Sequence, residues 1–110
     1  MKFISIEQKD PNQPSKRGKI MDWDEGVVVN LQLGKGQKIP PHHTGNTTLV
    51  VAQKGHVLFT VEGVTNELVP GTLLLMDPNE EHELEAVEDS SLFVIKMGTE
   101  VPKNCLDNQK

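Results

Sequence analysis

The groups in this sequence able to move a proton or hold a ligand near neutral pH are four histidines, His42, His43, His56 and His82, and one thiol, Cys105. Two of the histidines stand in a spaced setting. The first follows the pattern Gly36-x5-His42-x-Thr44-x3-Thr48-x6-Gly55, and the second stands eleven residues after Gly71, at His82. An imidazole can serve as general acid or base, or ligate a metal through its bare nitrogen, whereas a threonine hydroxyl is a neutral hydrogen-bonding group. No partner arrangement for nucleophilic catalysis surrounds Thr44 or Thr48, so both are expected to line a pocket. His43 and His56 are read as exposed strand or turn residues, and Cys105, in a polar tail, as an incidental thiol.

The elements that must position these residues are strands. No stretch carries a 3.6-residue apolar stripe, while several alternate, or run apolar for four or five residues, between Gly and Pro punctuation. Val27, Val29, Leu31 and Leu33 alternate with Val28, Asn30, Gln32 and Gly34, which predicts a strand with one buried face. Further strands are expected at Thr48–Gln53, Val57–Val61, Val64–Val69, Thr72–Met76, His82–Val87 and Ser91–Met97. Turns are expected at Glu62-Gly63, Pro70-Gly71 and Asp77-Pro78-Asn79. Short strands at this spacing, without intervening helices, indicate an antiparallel sandwich or barrel. A short strand at Phe3–Glu7, a mobile loop over residues 8–19, a core over about 20–98 and a fraying tail over 102–110 complete the reading of one domain over 1–110.

The spaced pattern resembles, in register throughout, the first motif of the cupin superfamily, G-x5-H-x-H-x3-E-x6-G. The step from Gly71 to His82 resembles the second motif, with Asp77-Pro78-Asn79 in the place of its Pro-x-Gly turn. Val57–Val69 is similar to the hairpin that joins the two motifs in small single-domain cupins, so the resemblance covers residues 26 to 97. It implies an all-β fold, a small antiparallel β-barrel or double-sheet jelly roll. It also implies a divalent metal, Zn, Fe, Mn or Ni, held by two His and a Glu of motif one and a His of motif two. Here Thr44 stands in place of the second His, Thr48 in place of the Glu, and Ala86 in place of an Asn that often follows the last His. The ligand positions left are His42 and His82, as metal ligands or as polar anchors. Alternation puts Leu84 and Ala86 on the face of His82 and turns Glu81, Glu83 and Glu85 the other way.

Composition sets the bounds around that site. Sixteen Asp and Glu against eleven Lys and Arg give a net charge of -5, the wrong sign for a protein that lives on phosphate backbones, so nucleic acid is not an expected partner. The longest apolar runs, Leu49–Ala52 and Leu73–Met76, are too short to span a membrane, and the opening MKFISIEQK shows no signal-peptide core. A lone cysteine forms no internal disulfide, and a cytoplasmic setting is expected. The acidic run from Asp77 to Asp89 reads as a solvated face. Because the two apolar runs fill both faces of their strands, the outward side needs cover, and a second copy of the chain is the expected one. The expected function is small-molecule binding in a pocket with His42 and His82 as anchors, Thr44 and Thr48 beside them, and Val50, Phe59, Met76 and Phe93 as lining. The alternatives are a metal-dependent or histidine acid–base enzyme, such as an isomerase or oxygenase of a small metabolite, and a structural partner with a vestigial pocket.

Overall fold

Alternating β-branched and aliphatic residues form nine strands in the computed structural model, which describes residues 1–10, 12–13 and 15–98. They are β1 (Ser15–Trp23), β2 (Gly26–Leu33), β3 (Lys38–His42), β4 (Thr47–Lys54), β5 (Val57–Val61), β6 (Val64–Leu68), β7 (Leu73–Met76), β8 (His82–Ala86) and β9 (Ser90–Met97). All pairings are antiparallel, in a five-stranded sheet of order β1-β2-β9-β4-β7 and a four-stranded sheet of order β3-β8-β5-β6. The expected all-β, double-sheet jelly roll is therefore the observed fold. The core lies between the sheets, where Leu31, Val50, Ala52, Leu92 and Met76 of the larger meet Val57, Phe59, Leu84 and Ala86 of the smaller. No helix long and apolar enough to cross a membrane occurs among the described residues. Cys105 and the 102–110 tail lie outside them.

The predicted turns form where expected. Glu62 (φ 47°) and Gly63 (φ 83°) both take left-handed backbone, as a two-residue hairpin between β5 and β6 requires. Asn79 holds φ 69° in the Asp77-Pro78-Asn79 turn, the conformation a glycine supplies in a Pro-x-Gly turn and one that Asn tolerates well.

The N-terminal region departs from expectation. Residues Ser15–Lys19, predicted as loop, form the first half of β1 and pair with β2 from Ser15↔Leu33 to Lys19↔Val29. Their side chains are exposed and mostly polar or cationic, so no apolar alternation marks the strand. Backbone pairing at a sheet edge holds it, and charge is a common feature of such edges. Phe3–Glu7, predicted as a strand, has no strand pairing. Instead the Gln32 side chain bridges this segment, donating from Nε2 to the Glu7 carbonyl (2.8 Å) and accepting from the Lys9 N–H (2.7 Å). That cover explains a second departure. β2 was expected to bury one face, yet Asn30 and Gln32 are buried alongside Leu31 and Leu33. Their amides satisfy each other (2.7 Å), and Asn30 also reaches Ser91 Oγ and the Leu92 carbonyl.

Candidate functional site

One cleft between the sheets gathers the sequence-predicted site. His42 enters from the end of β3. Pro40 and Pro41 interrupt β3–β8 pairing, and the register shifts between Ile39 and His42. Ile39 and His42, three residues apart, consequently face the same cleft, a phase that unbroken alternation would forbid. His43 is left exposed. His82 opens β8 directly opposite His42, their ring centroids 4.1 Å apart and their planes inclined by 60°. Phe59 of β5 lies nearly parallel to His82, with centroids 5.7 Å apart. Thr48, Val50 and Met76 come from the opposite sheet, and Thr44 from the loop before β4. The cleft is narrow, offering about 40 Å³ to a water-sized sphere, and about 480 Å³ of non-atom space only when its open mouth is counted.

Both imidazoles are oriented in the same way. His42 Nδ1 lies 3.0 Å from the Pro40 carbonyl oxygen and His82 Nδ1 lies 3.1 Å from that of Glu80. A carbonyl oxygen can only accept, so each Nδ1 carries the hydrogen, and each neutral ring keeps its lone pair on Nε2. Thr48, 2% exposed, donates to the Asn46 carbonyl (3.2 Å), and its hydroxyl is 3.4 Å from that of Thr44. The site is two oriented imidazoles with two neutral hydroxyls, backed by apolar walls.

His82 is 7% exposed, and burial is the main force holding its pKa below the ordinary imidazole value. The hydrogen bond to the Glu80 carbonyl opposes this, while the charges of His42, Lys96 and His43 add to the depression. In the unfolded chain the same histidine takes a proton near pH 6.5, about its unperturbed value. Below that pH the unfolded state therefore binds more protons than the folded one. This group's contribution is fully present above about pH 6.5 and declines as pH falls toward the depressed folded value. Urea unfolding midpoints are expected to drop between pH 7.5 and 5.5, and His82→Gln to reduce that drop. A drop of the same size in the variant would assign the pH dependence elsewhere.

One predicted lining residue faces the other way. Phe93 pairs with Asn30 and Val51 on the outward row of the five-stranded sheet, where it meets Ile4, Ile6 and Val28. Its neighbour Val94 lines the cleft instead. Sequence reading also missed Arg17 of β1 and Lys96 of β9, which line the same cleft. Lys96 stands two and four residues from Val94 and Leu92, in the inward phase of β9, but the all-apolar run before it does not show which phase is inward. Among the other histidines, His56 bonds Glu67 through Nε2 (3.0 Å), away from the cleft.

The cupin resemblance implies a metal, and the donors can be tested against it. Only two imidazole nitrogens converge, and the remaining polar atoms of the motif positions are protonated hydroxyls. No group of three or more His, Cys, Asp or Glu is placed to hold an ion among the described residues. Glu81 and Glu83 are exposed on the outer side, as alternation requires. A resident divalent ion in a cupin-like site needs three or more protein ligands, so this donor set does not fit one.

Residues 30–110 match the model of a family described as the AraC-like ligand binding domain. A curated relative, the XylDLEGF operon transcriptional activator of Pseudomonas putida, is 34% identical over 61 residues, which is 54% of this chain and 19% of that protein's length. Among solved structures, a cupin superfamily protein from Desulfitobacterium hafniense superimposes with a TM-score of 0.74 at 17% identity, over 86% of this chain and 84% of that one. An RmlC-like cupin of double-stranded β-helix fold from Methanocaldococcus jannaschii gives 0.71 at 14% identity, over 89% and 94%. These likenesses show the fold, which is that of the cupins, as the two spaced motifs implied.

Proposed function

Since the chain belongs to the AraC-like ligand binding domain family, we propose that its barrel binds a small organic molecule directly on protein side chains, without a resident metal, as a binding or sensing module. The observation that carries this is the pair of facing imidazoles, each with Nδ1 held by a carbonyl and Nε2 left to accept from a ligand, above an apolar floor that includes Phe59 and Val50. The match to part of a transcriptional activator supports the sensing role.

Thermal-shift measurements against a metabolite panel in excess EDTA test the reading. A ligand at about a hundred times its Kd adds about 2.7 kcal/mol, a rise on the order of 10 °C for a domain of this size. The rise is expected to persist in EDTA, and His42→Leu is expected to weaken binding about tenfold by removing one hydrogen-bonding anchor. A flat response across the panel contradicts the proposal and favours a vestigial pocket.

The reading includes a second copy of the chain. Leu73 and Leu75 on edge strand β7 are 63% and 62% exposed. They continue a row through Leu49 and Val51 of β4 to Ile95 and Phe93 of β9. An apolar sheet face of this breadth supports a homodimer packed through it. Light scattering at micromolar concentration is expected to give twice the 12.2 kDa chain mass, and Leu73→Glu with Leu75→Glu to restore the monomer. A wild-type monomer contradicts the dimer. A cytosolic setting completes the reading, supported by the single cysteine of the chain.

A further inference from the structure

The charges around the cleft narrow the class of ligand. The chain carries an excess of acidic residues, yet among the described residues none of them lines the cleft, whereas two cations, Arg17 and Lys96, do. Strand alternation accounts for the first half of this. Glu81, just before β8, and Glu83 within it are exposed, while His82 and Leu84 face inward.

The cations come from the inward phase of the larger sheet. Lys96 is in register with Val27 on one side and with Thr48, at the site, on the other. Its charge is felt at His82, where it opposes protonation. Arg17 of β1, the edge strand that borders the cleft, is in register with Leu31 of β2. On the same strand Lys19 is occupied by Asp22 at 2.8 Å. Among the described residues neither Lys96 nor Arg17 has an ion-pair partner. A partly shielded ammonium without a counter-ion, in a cleft that no carboxylate of the described residues lines, favours an anion.

The rest of the lining limits what that anion can be. Val29, Val94, Val50 and Phe59 present no polar atom beyond the backbone. A multiply charged or heavily hydroxylated ligand would leave polar groups unpaired against them, at a desolvation cost. We infer that the cleft takes a small organic carboxylate, a monoanion with an apolar body, whose carboxylate meets Lys96 beside Thr48 and whose body rests on the valines and Phe59. Arg17 at the border adds to the attraction for the anion. This inference rests on the small-molecule reading of the same site.

Matched probes separate the two. Hexanoate, cyclohexanecarboxylate and benzoate, each paired with its primary amide, are titrated into the intact protein by calorimetry, alongside the neutral metabolites of the panel. At least one carboxylate is expected to bind about tenfold or more tightly than its amide. Lys96→Gln is expected to erase that preference, and Lys54→Gln, at the exposed far end of β4, to retain it. Far-UV circular dichroism and melting temperature confirm that each variant is folded. Equal affinity for acid and amide, or a preference that survives Lys96→Gln, overturns the anion inference. Binding of neutral panel members alone overturns it too, but leaves the small-molecule function standing. Absence of binding by every probe in both sets overturns both.

Discussion

Gly55→Ala is expected to lower the stability of the fold by about 3 kcal/mol or more, a large fraction of the 5–15 kcal/mol typical of a domain. Two effects combine. The glycine holds φ 88°, a left-handed conformation that costs an alanine about 1–2 kcal/mol. In addition, a Cβ at this position would overlap the Asp89 carbonyl oxygen and Ser90 Oγ, and would lie 2.6 Å from Ser90 Cα. Those atoms have little freedom to retreat. Ser90 Oγ accepts from the His56 N–H (2.9 Å) and donates to the Glu88 carbonyl (2.7 Å), tying the β4–β5 turn to the β8–β9 turn. Gly36→Ala supplies the comparison. It has nearly the same φ, 87°, with nothing within 4 Å of the added carbon, so it is expected to cost about 1–2 kcal/mol through backbone conformation alone. Urea midpoints measure both. Equal losses at the two glycines would show that the close approach at Gly55 contributes nothing.

Phe59→Ala is expected to cost about 3–5 kcal/mol and to abolish binding of any cleft ligand. The ring is 3% exposed, packs in the core and lies against His82, so its loss leaves a cavity and removes the floor of the cleft together. Phe93→Ala is the control. That ring is only half-buried on the outward row, and its truncation is expected to cost about 1–2 kcal/mol while leaving cleft binding intact. Denaturant unfolding together with ligand titration reads both effects. Loss of binding in the Phe93 variant and retention in the Phe59 variant would reverse the assignment of the two rings.

The contrast between these rings shows what strand periodicity can convey. In Leu92-Phe93-Val94-Ile95 every residue is apolar, so the run marks a strand buried on both faces but carries no phase. The polar phase markers were Ser91 and Lys96, which point to opposite answers because a lysine in a strand reads as solvent-facing. Lys96 faces the cleft. Arg17 escaped for a related reason, since β1 is a polar edge strand held by backbone bonds, and neither propensity nor alternation marks such a segment.

The histidines were legible because their spacing relative to the turn glycines fixes their phase. Gly36, Gly55, Gly71 and Asn79 all take the left-handed backbone that the turns between strands require. His82 therefore opens a strand with its ring inward. His42 keeps its inward ring only because the Pro40–Pro41 irregularity shifts the register by a residue. The pairing of His42 with His82, and the carbonyls that fix their tautomers, are tertiary facts that spacing alone does not contain.

The central claim is that these two imidazoles receive an organic ligand directly and do not support a resident metal. Elemental analysis of untagged protein, purified without chelator, tests it most directly. The predicted result is well under one equivalent of Zn, Fe, Mn and Ni combined per two chains, unchanged by His42→Ala. A stoichiometric metal that disappears in His42→Ala would contradict the account.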